Sequence, residues 1–224
     1  MTISVIVPAL DEGVQIEAAL RSAREPLVAE ILVVDGGSSD DTSARAAGFA
    51  DRVLTSPRGR ALQMNAGAQQ ARGDVLLFLH ADTRLPPGFA VAIESAVQAG
   101  AVGGRFDVEL RGTQRFLPVV AALMNARSRA TRIFTGDQAI FVRREVFARI
   151  GGFAAIPLME DVELSSRLRR EGPIASLRLR VSTSARRWEE QGVLRTILLM
   201  WGLRLAYASG VSPERLAALY RRSS

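Results

Sequence analysis

Three apolar runs, ISVIV at residues 3–7 with Ser4 as the one polar member, ILVV at 31–34 and VLLFL at 75–79, constrain this chain more than any other feature. A strand with one wet face alternates polar and apolar residues, whereas a run without alternation needs burial on both faces. Helical patterns fall between the runs, over 14–23, near 42–47 and over 60–71, with a short strand expected at 52–54. Strands joined by crossover helices pair in parallel, and the helices cover both sides of the sheet. Turn chemistry agrees. DGGSSDD follows the second run, RGD precedes the third, and PPG at 86–88 opens the next helix. Pro8 is expected to close the first strand.

After Gly100 the alternation loosens. VGGRFDVEL reads as a strand, 116–129 as a helix, 138–143 as a strand and the residues up to 150 as a short helix. EDVELSSRLRREG begins another helix, short strands are expected over 174–182, and helices over 193–209 and 213–220 finish the chain. Ser212 and Pro213 supply the N-cap and first position of the last helix. No repeat or linker interrupts the pattern, so 224 residues are read as one α/β domain. It divides into a first half, 1–100, a second part, 101–190, and a helical tail, 191–224.

Composition narrows the partners. The formal charge is +6 and all 29 basic residues are arginine. Coding bias accounts for such usage, so nucleic acid is not expected; anionic diphosphates or lipid headgroups are favoured by a positive surface. There is no cysteine, which excludes disulfides and thiolate metal sites and fits a cytoplasmic setting. No signal peptide is visible in MTISVIVPAL. The most lipophilic segment, RTILLMWGLRLAY, has eight uncharged residues between Arg195 and Arg204. As a helix that is ~12 Å, against ~30 Å of hydrocarbon, so it does not span a membrane. With Arg127, Arg129 and Arg132 it leaves room for peripheral contact with an anionic membrane face, although a core or dimer helix is the plainer reading. Oligomeric state stays open, a homo-oligomer included.

In an open parallel sheet, ligands bind beyond the carboxyl ends of the strands. Three such ends carry acids here: Asp11 and Glu12, Asp35, and Asp82. Each alone serves equally as a turn or cap residue, but converging carboxylates repel unless a cation or donor joins them. PALDEG after the first strand is not a G-x-G-x-x-G dinucleotide loop, and a chain without lysine has no phosphate-binding P-loop.

VIVPALDE, ILVVDGGSSDDT, NAGAQQARGDVLLFLHADT, GDQAIFVRREVFARIGGF and MEDVELSSRLRREG occur in the order and spacing of family 2 glycosyltransferases, the inverting, nucleotide-sugar-dependent enzymes of GT-A fold. The chain resembles their short bacterial members over residues 2–190. That resemblance implies a metal motif, D-x-D, at His80-Ala81-Asp82: Asp82 would hold Mg²⁺ or Mn²⁺ on the donor diphosphate, while His80 departs from the pattern and is either a ligand or a polar stop. It implies that Asp35 reads the base, that Pro8, Ala9 and Glu12 line the nucleotide, and that Arg60 reaches base or phosphate. Asp161 matches the catalytic base and Glu160 the acid before it, although acids at a helix N-terminus also cap it. Gly136, Asp137 and Gln138 match the acceptor-side loop. Arg187 and Trp188 match a shortened arginine–tryptophan motif, for diphosphate and acceptor, with core packing the alternative for Trp188.

The expected reaction is transfer of a sugar from a nucleotide diphosphate, UDP favoured, to an unidentified hydroxyl. Two rivals are a sugar-phosphate nucleotidyltransferase, which would want a glycine-rich loop and a lysine, and a non-catalytic nucleotide-sugar-binding scaffold.

Overall fold

The computed structural model describes residues 1–222, the side chains of Arg187, Leu194 and Arg222 excepted. The first half runs β1 Ile3–Ala9, α1 Ile16–Ser22, β2 Val28–Asp35, α2 Thr42–Ala47, β3 Arg52–Thr55, α3 Arg60–Gln70 and β4 Val75–Phe78. Next come β5 Thr83–Arg84, α4 Phe89–Gln98, β6 Gly103–Arg111, α5 Leu117–Thr131, a 3₁₀ turn at Gly136–Gln138, β7 Ile140–Arg143, α6 Arg144–Arg149 and α7 Glu160–Leu168. The remainder is β8 Ile174–Ser184, α8 Arg186–Gln191, α9 Val193–Ala208 and α10 Pro213–Arg222.

All eight strands join one sheet in the order β3-β2-β1-β4-β7-β6-β8-β5. β1 pairs in parallel with β2 and β4, β2 with β3, and β6 with β8. β7 is antiparallel to β4 and β6, and β5 to β8. The sheet is mixed and mostly parallel with flanking helices, as expected. Its apolar runs are explained by two cores. Ile3, Val5, Val7, Ile31, Val33, Val75 and Leu77 pack on one face, and Ile6, Leu32, Val34, Leu76 and Phe78 on the other.

The chain proceeds outward from β1 through β2 to β3, then returns to place β4 on the other side of β1. This reversal opens a crevice at the carboxyl ends of β1, β2 and β4. One glycine sets how closely α3 covers it: a Cβ on Gly67 would lie 2.5 Å from Ile6 Cγ2 and 3.0 Å from Val34 Cγ2. One turn earlier, the buried Gln63 donates from Nε2 to Ala9 O at 2.8 Å and Val34 O at 2.9 Å. It ties the carboxyl ends of β1 and β2 to the helix that begins with Arg60.

Four local expectations change. Pro8 lies inside β1 instead of ending it. Ile6 O accepts the last bond from the β4 side, from Leu79 N at 2.9 Å; Pro8, two residues on, turns its missing donor to that same side, where β4 has ended. The short strands over 174–182 are one strand, β8, whose partly exposed face hid its length. The pair β5 and the six-residue α8 were too short for a periodic signal. Among the described residues no helix is long and apolar enough to cross a membrane.

Candidate active site

At the β1 and β2 ends, turn chemistry and candidate ligand chemistry coincide. Asp35, buried at the end of β2, accepts from Ser38 N at 3.2 Å to each carboxylate oxygen, and from Ser38 Oγ at 2.5 Å. Pro8 and Ala9 are buried in β1, and Ala9 O accepts from Gly36 N at 3.0 Å. Asp11 adopts a left-handed φ of 53° and accepts from Ser39 N at 2.8 Å. The DGGSSDD loop is thus folded against the end of β1. Glu12 anchors its backbone by donating to Thr42 Oγ1 at 2.8 Å. Its side chain is less settled: Oε2 is buried without a partner, and Arg186 approaches Oε1 at 3.6 Å. Burial and then the charge of Asp82 raise the Glu12 pKa, against the pull of Arg186 and Arg60.

Beyond β4, the chain turns through His80, whose O accepts from Thr83 N at 3.0 Å. Asp82 Oδ1 receives the hydroxyls of Thr83 at 3.1 Å and Thr183 at 3.4 Å, so β5 and β8 fix its carboxylate. His80 Nε2 is buried and unpartnered. Burial, followed by the Arg60 charge, pushes His80 down to about 3, so the ring is neutral.

The other half of the site meets this one at a single glycine. Gly136 N donates to Asp161 Oδ2 at 2.9 Å, while a Cβ on Gly136 would collide with the His80 ring at Nε2 and Cε1. LHADT, GDQ and MEDVEL, far apart in the chain, therefore converge here. Asp161 also accepts from Val162 N at 2.7 Å, which holds its carboxylate at the start of α7. Glu160 is buried beside it, and Arg60 lies 3.6 Å from its Oε1. Burial, then repulsion from Asp161, raises the Glu160 pKa. Asp137 Oδ1 is buried without a partner. Gln138 turns away from the site: its Nε2 donates to Ser128 Oγ at 3.0 Å, and its Oε1 accepts from Thr135 N at 3.3 Å. It braces the loop.

Backbone strain clusters here as well. Of four non-glycine residues with positive φ among those described, Asp11 adjoins Glu12, Ala139 follows Gln138 and Met159 precedes Glu160. Such strain persists where surrounding structure enforces it, often at functional sites.

Trp188 packs against the core that contains Ile3 and Phe106. The Arg187 side chain lies outside the described residues, although its backbone belongs to α8. Two residues the motifs did not single out are Gln63 and Arg186. Nothing in the helical pattern around Gln63 marks it as the buried member, and Arg186 precedes the matched arginine in sequence.

The Gly136 junction gives a direct test. Gly136→Ala must move the ring or the loop, at a cost of about 1–3 kcal/mol for overpacking. Its melting temperature should fall and nucleotide binding weaken; an unchanged melting temperature would mean that His80 swings aside freely.

A mostly parallel sheet with acids gathered at its carboxyl edge, beside the point where strand order reverses, has the GT-A form of glycosyltransferases. Glucosyl-3-phosphoglycerate synthase from Mycobacterium tuberculosis, solved in complex with Mn²⁺, UDP and glucosyl-3-phosphoglycerate, is similar with a TM-score of 0.59 at 25% identity, over 88% of this chain and 78% of that one. Residues 4–157 match Glycosyl transferase family 2, and the chain belongs to that family. An uncharacterised protein of Mycobacterium tuberculosis is 31% identical over 195 residues, 74% of this chain and 61% of that protein. The probable glycosyltransferase YdaM of Bacillus subtilis is 27% identical over 238 residues, 93% of this chain. The chain spans 54% of YdaM's length.

Proposed function

We propose that the chain, 1–224, acts as one glycosyltransferase domain that moves a sugar from a nucleotide diphosphate, UDP favoured, to a hydroxyl acceptor with inversion in a single displacement. The reading rests chiefly on the Gly136 junction, which sets the Asp161 carboxylate beside the His80–Asp82 turn. A UDP donor is supported by the complex of the similar synthase.

Asp35 and the ends of β1 and β2 would take the nucleoside, with Pro8, Ala9 and Glu12 along it. Among the described residues no three His, Cys, Asp or Glu side chains form a metal cage. Asp82, with neutral His80 two residues before it, instead suits a Mg²⁺ or Mn²⁺ ion that the donor diphosphate would help to hold. When bound, such an ion would stabilise negative charge on the departing diphosphate.

The chain's own groups do the rest. Asp161, oriented by Gly136 N and Val162 N, would accept the acceptor's hydroxyl proton as that oxygen bonds to the anomeric carbon. The bond from that carbon to the diphosphate oxygen breaks on the opposite face, and its electron pair leaves with the nucleotide. Glu160 and Arg60 together line the mouth, Arg60 being free enough to turn toward phosphate. We place the enzyme in the cytoplasm, where nucleotide sugars occur.

Calorimetric titration with UDP, GDP and dTDP, with and without Mn²⁺, tests the donor half. One nucleotide is expected to bind and to need the metal, and Asp82→Ala should lose that dependence. No binding by any nucleotide would overturn the proposal.

A further inference from the structure

Arg127 and Arg204 come to the acceptor side of Asp161 from different helices. Arg127 sits one residue before Ser128, which accepts from the Gln138 side chain, so α5 delivers it beside the GDQ turn. Arg204 follows Leu203, which packs with Leu216 against Met159, the residue before Glu160. In this way α9 is laid over the start of α7. Tyr207, one turn further on, feels the charges of Glu163 and Asp161 from there.

The Arg127 guanidinium is not satisfied, and Arg204 is half-buried. Arg127 donates from Nη1 to Ile133 O at 3.3 Å, but Nε and Nη2 are buried without partners. Arg204 makes no hydrogen bond or ion pair with a described residue. Burial and the Arg204 charge lower the Arg127 pKa to about 10, with Asp137 and Asp161 pulling the other way. Asp137 does not neutralise the pair: it forms no ion pair with either arginine, its Oδ1 is itself unpartnered, and burial raises its pKa. A buried unmet donor costs about 1–3 kcal/mol, more when charged. Arg127, with the charge of Arg204 also acting on it, wants an anion.

We propose that the acceptor is anionic, with a carboxylate or phosphate that docks between Arg127 and Arg204 and thereby sets the acceptor hydroxyl at Asp161. The proposal rests on the transferase reading and names its second substrate by class. A planar guanidinium meets two oxygens of such a group at once, which a neutral sugar would leave unmet. The anion has two sources, a small hydroxy acid or phosphate ester in solution, or an anionic lipid headgroup. The same helices carry exposed apolar rows, Val119 and Leu123 on α5 with Phe116 at its N-cap, and Leu198, Trp201 and Leu205 on α9.

The test titrates inorganic phosphate into the full chain, alone and saturated with UDP and Mn²⁺, for wild type, Arg127→Gln, Arg204→Gln and the double variant. Phosphate should bind wild type in both states and at least tenfold more weakly to each variant, with UDP–Mn²⁺ binding within twofold of wild type as the check on folding. Equal phosphate affinity in wild type and double variant, or none in wild type, overturns the proposal. Failure of UDP to bind while phosphate still depends on both arginines would sink the donor reading and leave the anion site standing. Sedimentation with phosphatidylglycerol vesicles separates the sources. Arginine-dependent vesicle binding assigns the anion to lipid; phosphate binding without it assigns the anion to a soluble acceptor.

Discussion

Asp161→Asn is expected to reduce sugar transfer by about 10²–10⁴-fold, the usual worth of a positioned general base, while UDP and Mn²⁺ bind as before. Gly136 N bonds to Oδ2 and Val162 N to Oδ1, so the single oxygen of an asparagine keeps one of these two bonds; the side chain keeps its size, and unchanged nucleotide affinity is the check that the loop and helix start hold their places. What is lost is a group able to take a proton. The comparison is turnover against nucleotide affinity in one preparation. Turnover within tenfold of wild type would mean that another group takes the proton, and the assignment would fall. Wild-type protein that binds nucleotide yet neither transfers nor hydrolyses its sugar would instead fit the scaffold reading.

Asp107→Ala should be the most destabilising single change at a polar position. Arg105, fully buried on β6, is bonded to Asp107, and Arg129 reaches the same carboxylate from α5. Arg105 also donates to Asn125 O at 3.2 Å, while Asn125 closes a pair of bonds with the Val108 backbone at 2.8 and 3.0 Å. Removing the carboxylate strands a buried cation, at about 3–5 kcal/mol. For a chain of this size that is a fall of roughly 6–20 °C in melting temperature. Glu109→Ala, exposed on the same strand, is the control and should move it little. A small loss at Asp107 would mean that water reaches Arg105 once the carboxylate is gone. The network also braces Gln138, through Asn125 Oδ1 at 3.5 Å, so the variant should loosen the GDQ loop before it unfolds the sheet.

This network marks where the sequence became hard to read. Arg105 and Asp107 share one strand face, and two charges on one face read as solvated. Only α5, packed over that face, buries them. Trp188 shows the converse: it matches a substrate motif, with core packing as the alternative, and the half-buried ring packs against the core. Asp35, Asp82 and Asp161 were legible because each stands at a strand end or helix start, where local chain chemistry puts polar residues. His80 was visible as an oddity, but its tight contact with Gly136 was not.

By itself the sequence determined the parallel first half, the acids at its carboxyl edge and the helix that Asp161 begins, since apolar runs, turn residues and caps act over a few neighbours. Tertiary structure decided that β7 runs antiparallel beside β4, that the Arg204 charge on α9 acts on Arg127 of α5, and that residues 80, 136 and 161 meet. Those contacts depend on strand order and on the paths of the crossovers, which bring together segments too far apart in the chain for any local pattern to register.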